Sequence, residues 1–555
     1  MDTRTQIQTA LSEALAKAFP DAPPPAPESI PLTPPRQREH GDLATNVAMT
    51  LAKEMGKPPR AIAQGIVDAL AGHPAIAKVD IAGPGFINLT LRAAATAEVL
   101  HRIAKAGPDF GRWEFGRGVK VNVEFVSANP TGPLHVGHAR GAVVGDTVAR
   151  LLVATGHEVT REFYFNDAGV QMELLGKSLR ARVFQKLGRD AQVPEDGYHG
   201  EYLNPVAERL VSELTESSEI DEAQCRDFGS VEIMGWIKRD LQELGIVFDV
   251  FTLERAIHER GAVETSVGKL QERGELYEKD GAVFLRTEKH GDEKDRVIKK
   301  SDGNFTYLAP DIAYHEDKYG RGFDRIIDVF GADHHGYVPR LRAAVAALGH
   351  DPKTLEVIII QMVNILKDGE VQRLGKRLGN FITLETMIRE LGADVVRWFF
   401  LMRSADSDMT FDWALAQDHS DRNPVYKVQY AHARICSVFG QAEKREITYA
   451  GIEAADLALL TAPEEQALLQ HLASYPEVVK RAAETLGPHA IPSYLLDLAN
   501  LYNTYQSLGR KEDQFRILRA GAAAETQARL ALVDGVRQVL ANGLGLLGIS
   551  APERM

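Results

Sequence analysis

Cysteine is nearly absent from this chain: 555 residues hold two, Cys225 and Cys436. They lie far apart and follow no metal-ligand spacing, which argues against a zinc cluster and against a disulfide scaffold. Two thiols in a reducing cytosol are the expectation. Long apolar runs are missing too. The most apolar stretch, 356–366 (EVIIIQMVNIL), is too short to span a bilayer. The opening MDTRTQIQTALSEALAKAF carries charge throughout and lacks the apolar core of a secretory leader. No membrane partner and a cytoplasmic location are therefore expected. Positive charge is also short, with 64 Lys and Arg against 77 Asp and Glu, a net −13. A non-specific coat on nucleic acid needs cations facing phosphates. No DNA partner is expected, and any basic surface has to be local.

What remains is ordinary globular material, 44% hydrophobic and 25% charged. At about 150 residues per domain the length suggests three or four folding units. Apolar residues recur at helical spacing from Ile7 to Phe19, and a proline-rich loop follows. The segment 78–91 (KVDIAGPGFINLTL) reads as strands around a tight turn. Residues 1–113 form a small α+β unit on this reading. The run 120–126 (KVNVEFV) reads as a buried strand, 136–153 as a helix and 158–165 (EVTREFYF) as a second strand. Strand, crossover helix, strand predicts a parallel sheet. Gly137, Gly141 and Gly145 share one face of that helix, where they would let it pack closely on the sheet. A charged, helical-looking insertion occupies about 167–301. Strands return at 324–331 and 355–362, within a unit spanning 114–418. From 419 to 555 strand signals stop, and a helical bundle is expected.

Three constellations carry chemistry. His135 and His138, three apart at the start of a helix, lie on one side of it. With the amides of the helix N-terminus they suit an anion, and Gly137 leaves room for a flat base against the backbone. Next, Gly375, Lys376, Arg377, Gly379 and Asn380 form a glycine-flanked basic loop suited to a triphosphate. Finally, Glu124 and Asn129 flank the histidine turn, Tyr307 and Asp311 are four apart on a predicted helix, and Asp333, His334 and His335 end a strand. Strand ends are where α/β sheets bind ligands.

The string PLHVGH resembles the HIGH signature of class I aminoacyl-tRNA synthetases. QRLGKRLGN resembles the KMSKS loop, with Arg373, Leu374 and Gly375 where Lys, Met and Ser usually stand and Lys376 at the fourth position. HGDLATNVAM, GPGFINL, EFYFNDAG, GADHHGYVPR, GADVVRWFFL and NPVYKVQYAHARICSV are similar to arginyl-tRNA synthetases over nearly the whole chain. The resemblance implies an α/β multidomain protein. Its expected parts are an N-terminal additional tRNA-binding domain, a Rossmann-type catalytic domain with a helical insertion, and a DALR-type anticodon-binding bundle. It implies ligation of L-arginine to tRNA(Arg) through an arginyl-adenylate, using ATP with Mg2+. Activation would require bound tRNA. Neither a tightly bound cofactor nor a protein metal site is expected, and a monomer is usual in the family.

The same resemblance assigns residues. His135, His138 and Lys376 would be catalytic. Pro133, Gly137, Gly331, Asp333, His334 and Arg377 would join them around ATP. Glu124, Asn129, Tyr307, Asp311 and His335 would take arginine, a guanidinium being best held by carboxylates in forked geometry. Tyr430, Arg434, Tyr502 and Tyr505 suit unstacked anticodon bases or phosphates, while packing in the helical core stays equally open for the aromatics. Two alternatives remain at this point. A cysteinyl-type synthetase or a small adenylyl-forming ligase would call for zinc-ligand cysteines or for the absence of the bundle. A non-catalytic RNA-binding paralogue would account for the altered loop, but not for retention of His135, His138 and Lys376.

Overall fold

A computed structural model describes residues 3–33, 35, 40–167, 169–214, 220–372 and 382–555. The chain opens with an amphipathic helix, Thr3–Ala18, whose Ile7, Leu11 and Leu15 are buried. They pack with Ile62 and Ile66 of the helix Pro59–Ala69 and with Ile87 and Leu89 of a three-stranded antiparallel sheet. That sheet runs in the order Leu43–Thr45, Phe86–Leu91, Ile76–Ala82. This small unit has an apolar core of its own.

The centre of the molecule is a five-stranded sheet in the order Leu355–Ile360, Arg325–Gly331, Lys120–Glu124, Glu158–Phe165, Val250–Leu253. Every neighbouring pair is parallel. The chain lays its first three strands to one side, then returns to the first strand and adds two on the other. The order therefore reverses between Lys120–Glu124 and Arg325–Gly331. At such a reversal the outgoing loops diverge and leave a crevice beyond the carboxyl ends of the strands.

The helix Val136–Ala154 follows the first strand and packs on this sheet. Of its three glycines only Gly145 is required for close approach, since a Cβ there would lie 2.4 Å from the Phe125 ring. A Cβ at Gly141 would meet nothing within 4 Å, and one at Gly137 would meet the His135 ring. The insertion is also less uniform than its charge pattern suggests. Three helices, Val170–Lys186, Leu203–Glu213 and Glu222–Glu243, are followed by the sheet-edge strand Val250–Leu253 and by an antiparallel sheet of Leu276–Lys279, Ala282–Leu285 and Arg296–Lys299. Each of these strands has four residues, too few for alternation to stand out from the surrounding charge.

Four long helices, Pro424–Lys444, Pro463–Glu484, Ala490–Lys511 and Ala523–Leu546, build the C-terminal bundle. It is tied to the preceding parts by Trp113 Nε1, which donates to the Pro476 carbonyl at 2.8 Å, and by Asn542, which donates to the carbonyls of Gly107 and Phe110. No described helix is long and apolar enough to cross a membrane.

Candidate functional site

The first strand ends in two consecutive left-handed residues, Val126 at φ 69° and Ser127 at φ 41°. For a β-branched residue this conformation is strained, at a cost of about 1–3 kcal/mol. The kink aims Ser127 back at its own strand. Its Oγ donates to Glu124 Oε1 at 2.8 Å and accepts from the Tyr164 amide at 3.2 Å. Asn129 follows, accepting from the Asn166 amide through Oδ1 (3.1 Å) and donating through Nδ2 to Gln171 (2.8 Å). It thereby joins the ends of the first two strands. Gly132 and Pro133 lead on to the helix, and the Tyr202 hydroxyl, from the insertion, donates to the Thr131 carbonyl at 2.6 Å.

His135 is the N-cap of Val136–Ala154, and its Nδ1 accepts from the Gly137 amide at 3.1 Å. His138 reaches back to the His135 amide through its own Nδ1 at 3.4 Å. The two rings stack with centroids 3.9 Å apart. A ring nitrogen that accepts carries no proton, so each imidazole presents Nε2–H as a donor. This modifies the expected anion site: the Gly137 amide is taken by His135.

Behind the turn lies a row of buried charges. Lys318, on the helix Leu308–Gly320, is fully buried and donates to Glu124 Oε2 (2.6 Å) and Asp328 Oδ1 (2.8 Å). His315 Nε2 meets Asp328 Oδ2 at 2.9 Å. Burial disfavours the Lys318 charge, but Asp328 and Glu124 more than offset it and raise its pKa. Burial likewise opposes ionisation of Asp328, yet Lys318 and His315 hold its carboxyl far below the usual range. Deeper in the sheet, Arg321 reaches both oxygens of Glu162, at 3.0 and 2.8 Å.

Asp311 sits on the same helix with the opposite balance. Burial pushes its carboxyl up to about 6, against a hydrogen bond from Tyr337 and the nearby His315, while Glu254 and Glu124 add to the rise. The Tyr337 hydroxyl donates to Asp311 Oδ2. The Tyr164 hydroxyl donates to Glu254 Oε2 at 3.0 Å, and its ring stacks on Tyr314 with centroids 4.4 Å apart. Three carboxylates, Glu124, Glu254 and Asp311, thus gather beside Tyr164, Tyr314 and Tyr337. Among the described residues the lysine paired with them is Lys318, shared between Glu124 and Asp328.

The residues singled out in the sequence fall into distinct groups. Glu124, Asn129, Pro133, His135, Gly137 and His138 line one turn. Gly331, Asp333, His334 and His335 are exposed at the carboxyl end of Arg325–Gly331, across the reversal point, the last three on the short helix Ala332–Tyr337. Tyr307 departs from expectation: it precedes the helix as its N-cap residue and is 82% exposed, while Asp311 is half-buried. Tyr337, not Tyr307, hydrogen-bonds Asp311. Lys376 and Arg377 lie outside the described residues. Sequence reasoning missed Tyr164, Glu254 and Tyr337, although Tyr164 and Tyr337 stand within EFYFNDAG and GADHHGYVPR.

In the bundle, Tyr430 and Arg434 lie on Pro424–Lys444 at the surface, the guanidinium 5.9 Å from the ring centroid. Tyr502 and Tyr505 are completely buried, and the Tyr505 hydroxyl donates to Glu465 at 3.0 Å. No base can stack on rings covered in this way, so for these two tyrosines the core-packing alternative holds.

Comparison with known proteins agrees with this architecture. Residues 5–91 match the arginyl tRNA synthetase N terminal domain, 112–397 the tRNA synthetases class I (R) catalytic domain, and 428–555 the DALR anticodon binding domain. The arginine–tRNA ligase of Geobacillus kaustophilus is 46% identical over 530 residues, 94% of this chain and 93% of that protein. That of Solidesulfovibrio magneticus is 46% identical over 94% of this chain and 95% of its own. The solved arginyl-tRNA synthetase of Thermus thermophilus shares the fold, with a TM-score of 0.74 at 24% identity, covering 99% of this chain and 100% of that one. With its reversed parallel sheet, its stacked histidine turn and its helical C-terminus, the chain belongs to the arginyl-tRNA synthetase family of class I aminoacyl-tRNA synthetases.

Proposed function

We propose that this chain ligates L-arginine to tRNA(Arg) using ATP, through an arginyl-adenylate, with release of AMP and pyrophosphate. The observation that carries the substrate is the cluster of Glu124, Glu254 and Asp311, in which the described carboxylates outnumber the lysine and arginine partners and which follows the strand leading to the histidine turn. A guanidinium supplies the missing positive charge. Glu124 already accepts from Ser127 and Lys318, so the forked donor is shared with Glu254 and Asp311 beside it. Asn129, Tyr307 and His335 are assigned to the amino acid from the sequence, the last two being exposed.

The chemistry needs no nucleophilic side chain. The arginine carboxylate attacks the α-phosphorus and pyrophosphate leaves. The terminal hydroxyl of tRNA then attacks the adenylate carbonyl. The protein positions the reactants and stabilises charge on the phosphate oxygens. His135 and His138 direct Nε2–H donors to those oxygens. Pro133 and Gly137 line the adenine side, and Gly331, Asp333 and His334 face them across the crevice. From the sequence, Lys376 is assigned to the leaving pyrophosphate and Arg377 to ATP. Mg2+ enters on the triphosphate, and no cluster of three candidate metal ligands occurs among the described residues.

We place residues 1–113 as an additional tRNA-binding domain, 114–418 as the catalytic domain with its insertion at about 167–301, and 419–555 as the anticodon-binding domain. Within the last, Tyr430 and Arg434 form the surface pair offered to RNA. The chain works as a cytoplasmic monomer on this reading, with no DNA or membrane partner, and activates arginine only with tRNA bound. Arginine-dependent exchange of pyrophosphate into ATP, measured with and without tRNA(Arg), tests both parts. Exchange is expected only with tRNA. No exchange in either case refutes the enzyme, and exchange without tRNA refutes only the dependence.

A further inference from the structure

The helix that carries the two histidines also carries Arg140, whose side chain is completely buried. Its guanidinium donates through Nη1 to the Gln361 carbonyl at 2.8 Å, and through Nη2 to the carbonyls of Ser404 (2.8 Å) and Ser407 (2.9 Å). All three acceptors are neutral. Asp406 and Asp408 act on Arg140 only through space, and burial still pulls the guanidinium below its usual range. A buried cation held by carbonyls alone is a poor source of stability, because its desolvation is only partly repaid. An apolar side chain of similar size would fill the space at less cost.

The position of the acceptors suggests what the arginine does instead. Gln361 directly follows the edge strand Leu355–Ile360 and leads into Val363–Lys367. Ser404 and Ser407 lie in the turn that feeds Met409–Asp412, which pairs in parallel with Val363–Lys367. Within this junction the Gln361 amide donates to the Ala405 carbonyl at 2.9 Å, and the Met409 amide to the Met362 carbonyl at 3.1 Å. Val363–Lys367 pairs in turn with Glu370–Gln372. Farther along the chain, the Leu384 amide donates to the Leu134 carbonyl at 2.8 Å, and Thr383 bridges to His135. Two separate segments beside the nucleotide crevice are thus referenced to one helix, the first through Arg140 and the second through the backbone of the histidine turn.

We propose that Arg140 is a positioning residue for adenylate formation. It fixes the junction of Gln361 with the 404–407 turn against the histidine helix, and so sets the ATP side of the crevice relative to His135 and His138. A guanidinium suits the task because its rigid planar fork fixes the geometry between the two chain segments it reaches, whereas the three donors of a lysine ammonium rotate freely and set no such angle. Arginine binding, which depends on Glu124, Glu254 and Asp311, does not pass through it. The proposal rests on the adenylation chemistry given above.

The test uses the full-length protein with Arg140→Met and Arg140→Lys, with tRNA(Arg) present throughout. Folding is checked by circular dichroism and thermal unfolding. Pyrophosphate exchange is titrated separately in ATP and arginine, and arginine affinity is read by calorimetry. Misplacement of reacting groups by an ångström can cost on the order of 100-fold in rate. The expected result for Arg140→Met is a kcat lowered by at least 20-fold and a raised KM for ATP, with the arginine Kd within twofold of wild type. Arg140→Lys should recover only part of the loss, and it carries the test if Arg140→Met does not fold. A folded Arg140→Lys with wild-type kcat and wild-type KM for ATP overturns the proposal. So does a fall in arginine affinity that parallels the loss of rate. If the wild type shows no arginine-dependent exchange, the functional reading itself fails and takes this role with it.

Discussion

The interior of the catalytic sheet and the interior of the C-terminal bundle bury polar groups in different ways. Beside the sheet, Glu124, Lys318, Asp328 and His315 form a row of charges, with Asp311 and Glu254 on its open side. In the bundle the large buried groups are the aromatic rings of Tyr475, Tyr494, Tyr502 and Tyr505, with one ion pair, Glu465 to Arg529 at 3.0 Å, among them. The bundle pairs its charges and fills the remaining space with rings, as a packing core does. The sheet pairs Lys318 and Asp328 in the same way but leaves negative charge over at one edge. On the proposed reading, that surplus is the place of the guanidinium.

Breaking the paired part of the charged row should have the largest effect. Lys318→Met leaves Glu124 and Asp328 buried without their cation, a change worth about 3–5 kcal/mol. A marked drop in the unfolding midpoint is expected, and an unchanged midpoint would mean that the row is not sealed from water. On the bundle side, Tyr502→Ala empties a fully buried site and should cost about 3 kcal/mol, while affinity for tRNA in a filter-binding assay stays within about twofold at a temperature where the variant is folded. A selective loss of tRNA affinity would reverse its assignment as core.

The surplus charge is tested next. Asp311→Asn should weaken arginine binding by about 10- to 100-fold, as removal of a charged hydrogen-bond partner does, with little change in KM for ATP. The same carboxyl gives a pH test. Its pKa stands near 6 in the free protein, so it is ionised above that value and protonated below it. The ionised form attracts the guanidinium. Arginine affinity should therefore fall as the pH drops through 6, approaching tenfold per unit below it, and Asp311→Asn should flatten this part of the profile. The smallest effect is expected on the bundle surface. Tyr430→Ala should reduce tRNA affinity by about 5- to 10-fold, in line with the loss of one base–ring contact, with the unfolding midpoint little moved.

Strong local signals made much of the fold legible. The helix Thr3–Ala18, the strands Lys120–Glu124 and Glu158–Phe165 and the four bundle helices all carry long runs of one periodicity. Val250–Leu253 was hidden because four residues cannot show a period within a charged segment. In the site, Glu124, Asn129, His135 and His138 were visible because they cluster in one string. Tyr164, Glu254 and Tyr337 were not, since each comes from a different strand end and gains a role only through its neighbours. Tyr307 misled for a different reason: its backbone is helical, but at the N-terminus of the helix its side chain is 82% exposed, while Asp311 pairs with Tyr337.

By itself the sequence determined the class of chemistry and the order of the parts, because both are written in contiguous strings and in periodicity, which are properties of neighbours along the chain. Only the tertiary structure decided which charges are neutralised. It gave Lys318 to Glu124 and Asp328, left Asp311 with a tyrosine hydroxyl, and closed Tyr502 and Tyr505 inside the bundle. Burial and Coulomb energy depend on distances across the fold, and residues hundreds of positions apart set them together.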